Sequence, residues 1–169
     1  MADLETTVAV YNDLRKAEAD WSRLEDAAEE HEIDIADAAL VENSAGKPVV
    51  LHRQSHHGWG KGALAGAVVG VLFPPSIIGA AIVGAGGGAL VSHVMRSLGR
   101  GKVRDLGRTF DSGTIAIVIV TPIGSTAQAT ARLEGATNFE SSPSGTSEET
   151  MAALSLASMG PMGPGVNYA

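Results

Sequence analysis

"GTIAIVIVTP", Gly113 to Pro122, decides how this chain folds. From Ile115 to Val120 every residue is apolar and most are β-branched, with no polar alternation. A strand with one wet face alternates apolar and polar residues. An unbroken apolar run marks a strand covered on both faces and therefore central in its sheet. Downstream, "STAQATARLEG" reads as a short helix opened by Ser125 and closed by Gly135, and "TNFESSP" as a last edge strand. This is one βαβ pattern, Gly113 to Ser142.

A second lies at the other end of the chain. "TTVAVY", Thr6 to Tyr11, is a β-rich run ended by Asn12 and Asp13, both good helix N-caps. Leu14, Ala17, Trp21, Leu24, Ala28 and His31 then recur at steps of three and four, which predicts one apolar helix stripe. The acids from Asp20 to Asp37 read as a solvated helix face, and His31 as a favourable group at the helix C-terminus. "DAALVEN" and "PVVLHRQ" flank "SAGK", a hairpin signal. Two βαβ units sharing one antiparallel sheet, with both helices on one face, predict an α+β, ferredoxin-like frame over residues 1–142. From Pro143 to Ala169 Ser, Gly, Pro and Met dominate, which predicts a disordered tail with one short helix at Glu148 to Ala157.

Between the two patterns lies a different kind of sequence. The 34 residues from Gly62 to Met95 contain no Asp, Glu, Lys or Arg, and 15 of them are Gly or Ala. Pro74 and Pro75 divide them into arms of 12 and 20 residues, Gly62 to Phe73 and Ser76 to Met95. A span needs about 20 apolar residues, and proline breaks a continuous helix through "FPPS". One span would also strand the two halves of the frame on opposite sides of a membrane. The arms instead read as a helical hairpin, residues 60–98, inserted in the frame. Gly62, Gly66 and Gly70 on the first arm, and Ala80, Gly84, Gly88 and Ser92 on the second, repeat every four residues. Such stripes let helix backbones approach closely. Leu64, Val68, Phe73, Ile77, Ile82 and Val91 lie outside the stripes, and two arms alone do not hide them from water.

Charge frames the hairpin. Trp59 and Lys61 precede it, with Arg53, His56 and His57 just before, and Arg96, Arg100, Lys102, Arg104 and Arg108 follow it. Basic residues at both ends place both ends on the cytoplasmic side, suit an anionic lipid surface, and put Trp59 where indoles favour the interface. A soluble homo-oligomer, with copies replacing lipid around the apolar faces, satisfies the same pattern. Both readings stay open.

Other chemistry is thinner. "GAGGGA" supplies a GxGxxA spacing at Gly84, Gly86 and Ala89, with Asp105 downstream, but no second apolar strand carries that acid and too little chain follows for a dinucleotide-binding sheet. His52, His56 and His57 have no acid or cysteine beside them, so they read as structural rather than metal-ligating, and His93 as a packing residue. No cofactor is called for, and no enzyme. The net charge of −7 argues against a nucleic-acid binder. With no cysteine, and an acidic opening that lacks the features of a secretory signal, the chain is expected in the cytoplasm or at the inner face of the cell membrane.

The opening "VAVYNDLRKAEADWSRLEDA", the later "GALAGAVVGVLFPPSIIGAAIVGAGGGAL" and the return strand "DLGRTFDSGTIAIVIV" together resemble a bacterial family catalogued as domain of unknown function 1269. The resemblance covers roughly residues 6–142, and the tail departs from it. It implies a membrane- or stress-associated protein and brings no catalytic residues to transfer.

Overall fold

Strand register shows how the apolar run is enclosed. A computed structural model of the protein describes residues 3–45, 47–55 and 114–146. Their elements follow in the order β1 (Asp3–Tyr11), α1 (Leu14–Glu29), β2 (Asp37–Ser44), β3 (Lys47–Ser55), β4 (Ile115–Pro122), α2 (Ile123–Thr130) and β5 (Asn138–Thr146). The fold is α+β: a five-stranded sheet in the order β3-β2-β4-β1-β5, every pairing antiparallel, with two helices among the described residues. The apolar run Ile115 to Val120 lies in β4, the middle strand. It pairs with β1 along one edge (Val8 opposite Val118) and with β2 along the other (Ala39 opposite Val118).

Side chains alternate between the faces of a strand. Ile115, Ile117 and Ile119 enter one buried cluster with Ala9 and Tyr11 of β1 and with Ala38 and Leu40 of β2. Trp21, Leu24 and Ala28 of α1, Ala129 of α2 and Leu133 complete it, so both helices pack on this one face. Ala116, Val118 and Val120 point the other way and are also buried.

Local chemistry sets the helix ends. The side chain of Asp13 caps α1, accepting from the Arg15 amide at 2.9 Å. The predicted stripe is buried from Ala17 to Ala28, while Leu14 stays exposed. α1 ends at Glu29, and His31 takes a left-handed conformation with φ 60, just beyond the cap at Glu30. Its backbone, whose amide donates to the Ala28 carbonyl at 3.2 Å, is what turns the chain.

Two boundaries differ from the sequence reading. α2 starts at Ile123, directly after Pro122, and stops at Thr130 rather than Gly135. Its first turn is held by a 2.9 Å bond between the Thr121 and Thr126 hydroxyls, and its last tightens through Arg132 N–H to the Ala129 carbonyl and Leu133 N–H to the Thr130 carbonyl. β5 runs on to Thr146, past Ser142 where the frame was expected to end. Pro143 fits there because β5 is an edge strand and its register with β1 shifts between Leu4 and Glu5, opposite Pro143. The predicted hairpin at 60–98 and the remainder of the tail lie outside the described residues.

Ile117 is fully buried at the centre of the sheet and of the helix-facing cluster. Ile117→Ala is expected to lower unfolding stability by about 2–5 kcal/mol in denaturant titration. A loss below about 0.5 kcal/mol would contradict the central placement of β4.

Candidate functional site

The sequence assigns association to Gly62, Gly66, Gly70, Ala80, Gly84, Gly88 and Ser92, and membrane contact to Trp59, Lys61, Arg96, Arg100, Lys102, Arg104 and Arg108. All of these lie outside the described residues, as do His56, His57 and His93. What the structure does place is where that segment joins the sheet. Ser55, the last residue of β3, sits opposite Asp37 at the start of β2, and Asp37 pairs on its other side with Val120 of β4. On the return side, the Thr114 carbonyl accepts from the Asn43 amide at 2.8 Å, and Ile115 lies opposite Glu42 and Tyr11. The chain leaves level with Val120 and re-enters at Ile115, five residues away along β4, or about 17 Å. Residues 56–113, 58 of them, therefore connect opposite ends of the sheet.

Two side-chain clusters brace the frame around those attachment points. The first centres on Asp20, which the sequence placed on a solvated face and which is 1% exposed. Its carboxylate accepts from the Tyr11 hydroxyl at 3.0 Å, the Gly135 amide at 2.8 Å and the Arg23 guanidinium. Arg23 also reaches Glu134 at 3.4 Å. Asp20 faces inward because it falls between Ala17 and Trp21 on the buried stripe; burying a carboxylate there is tolerated only with donors in place. Burial first, then the charge of Asp20 and its hydrogen bond, push the Tyr11 hydroxyl well above its ordinary pKa, with Arg23 opposing. Tyr11 is thus held as a protonated donor. Gly135 has its reason here: a β-carbon on it would lie 2.9 Å from Lys16 Cβ and 3.3 Å from Asp20 Oδ2. It lets the turn after α2 press against α1 rather than closing a helix. Among the acids from Asp20 to Asp37, Asp37 is buried as well, while Asp26, Glu29, Glu30, Glu32 and Asp34 are exposed.

The second cluster is a stack. His52 on β3 lies over Trp21 of α1 with ring centroids 5.8 Å apart and planes 21° from parallel, tying the helix to the outer hairpin. His52, the described histidine nearest the insertion, is therefore a packing partner. Among the described residues no group of His, Cys, Asp or Glu is placed to hold a metal ion. No helix among them is long and apolar enough to cross a membrane.

Since Tyr11 has a raised pKa in the folded state, the unfolded chain loses its phenolic proton first. The contribution is complete below about pH 10 and declines as pH rises above it. Tyr11→Phe is expected to flatten the fall of the unfolding midpoint above that pH, measured by thermal melts from pH 8 to 11. In the same series Gly135→Ala is expected to cost about 1–3 kcal/mol, because the neighbour it meets first is the Cβ of Lys16, next to the α1 backbone.

No curated protein matches the chain, and no solved structure matches it. A family model, Protein of unknown function (DUF1269), matches residues 60–154, which takes in the uncharged segment, β4, α2 and β5. The match begins after β3 and runs into the tail, so its span is shifted from the 6–142 expected. It covers 95 of the 169 residues, more than half of the chain, and by that match the protein belongs to the DUF1269 family.

Proposed function

We propose that this is a non-catalytic, self-associating protein in which a stable frame presents a glycine-zipper hairpin, residues 60–98, to further copies of the chain, to the cytoplasmic face of a membrane, or to both. The observation that carries the reading is compositional: 34 consecutive residues without a formal charge, their small residues repeating every four positions on each side of Pro74 and Pro75. Family membership supports it to the extent that the matched region contains this whole segment. The frame reads as ferredoxin-like. β1-α1-β2 and β4-α2-β5 form its two βαβ units, their strands lie in the order β2-β4-β1-β5, and β3 is an added edge strand.

Energetics favour association over an isolated hairpin. Each helical glycine costs about 1 kcal/mol relative to alanine, so packing against another surface has to compensate. The flanking bases at Lys61 and from Arg96 to Arg108 suit an anionic lipid surface and keep both hairpin ends on one side of it. A soluble oligomeric scaffold is the second reading, supported by the same exposed apolar residues with protein in place of lipid.

Gly66→Leu and Gly84→Leu both raise helix propensity and add apolar area, so partitioning alone predicts tighter membrane binding. Close packing predicts the reverse for assembly, through overpacking of about 1–3 kcal/mol per site. Native mass measurement and crosslinking of both variants, beside wild type and Val68→Leu, are expected to show lost assembly only in the glycine variants. Equal assembly in all four would remove the zipper. Carbonate washing of cell membranes then separates the lipid-bound form from the soluble scaffold.

A further inference from the structure

The face of the sheet turned away from the helices is buried too. Val8, Val10, Ala39, Val41, Ala116, Val118 and Val120 alternate with the residues under α1 and α2, and each is 4% exposed or less. In a central strand with one bare face, side chains on that face keep much of their contact with water; three adjacent strands here keep almost none. The described helices lie on the opposite side and supply no cover. Thr6, Asp37 and Asn43, the buried polar residues on this same face, each have a polar or electrostatic contact.

We infer that this second face is the docking surface for the chain's own uncharged segment, Gly62 to Met95. Three observations select that occupant. First, the segment belongs to a connection fixed to the sheet at both ends, about 17 Å apart along β4, whereas residues 147–169 follow an edge strand. Double tethering holds it at high effective concentration over the sheet. Second, the other face is already filled by two helices. Third, the surface contains a carboxylate. Asp37 is fully buried where the chain leaves β3, and a buried carboxylate requires donors or a nearby cation. The segment is flanked by Lys61 and by five bases from Arg96 to Arg108, while residues 147–169 contain two glutamates and no lysine or arginine. Glycine and alanine in the segment permit close approach to a surface of valine and alanine, as they do between helices.

The inference stands apart from self-association, since a monomer satisfies it fully. A diazirine side chain of leucine size, encoded at Val41 or separately at Val120 of the full chain, tests it by mapping the crosslinked peptides. The expected result is crosslinks into residues 62–95, at least tenfold above those to any other segment across that face. A mixture of heavy- and light-isotope chains is expected to yield no mixed pairs. A Leu40 probe on the helix face serves as control and is expected to reach α1. In case either substitution disturbs folding, photo-leucine incorporated into the unaltered sequence gives the reading from the other side, through Leu64, Leu72 and Leu90. Crosslinks from β1, β2 and β4 to Leu154 or Leu156, mixed heavy–light pairs from this face, or a lack of crosslinks would each overturn the inference.

Discussion

A strand that is hydrogen-bonded along both edges and apolar on both faces has to be enclosed in four directions, and β4 imposes that requirement on the molecule. Its edges are met by β1 and β2, which come from one continuous N-terminal unit. The chain must therefore deliver β4 from far along the sequence into the gap between strands already joined by α1. Sequence-distant pairings form late relative to local ones because loop closure precedes their reward. The N-terminal unit carries its own helix and hairpin, and β4, α2 and β5 complete the sheet as a second unit.

The Asp20 cluster fixes how those two units meet. Tyr11 and Arg23 come from the N-terminal unit, and the Gly135 amide from the other. One carboxylate thus binds three donors drawn from β1, α1 and the turn after α2. A polar contact of this kind adds little net stability compared with apolar packing of the same volume. Its geometry is demanding, however, because each missing donor leaves a buried charge less well solvated. That demand favours one seating of the second unit over small shifts along α1. Arg132 adds a peripheral link of the same kind to Glu32.

Elements dominated by periodicity were legible in the sequence. The apolar run of β4, the three-and-four spacing of α1 and the hairpin around "SAGK" each signal a structure through positions within a few residues of one another. What escaped depended on partners distant in the chain. Asp20 looks like any acid of an acidic helix until Tyr11 and the Gly135 amide are brought to it. Gly135 looks like a helix stop, yet its role is close approach to Lys16. The Ser, Gly and Pro of residues 143–146 carry a loop composition, and β1 nevertheless recruits them as an edge strand. The residues proposed for association fall where the sequence is loudest in composition, and the described frame bears on them through the attachment points at Ser55 and Thr114.

Those attachment points bear on what the uncharged segment can do. An apolar side chain leaving water gains about 1.5–3 kcal/mol when fully buried, whether its new neighbours are a sheet, another copy or lipid. Burial alone therefore does not choose among the three. The sheet has the advantage of tethering, since the connection that contains the segment is joined to it at Ser55 and Thr114 at all protein concentrations. Copies gain with concentration, and lipid gains with the basic flanks. Close packing is the remaining discriminator. A stripe of glycine and alanine fits a flat valine surface or another stripe, but gives lipid chains little to grip. On the proposed helical hairpin, the small-residue and bulky faces would serve different neighbours at once, the first toward protein and the second toward whatever lies outside.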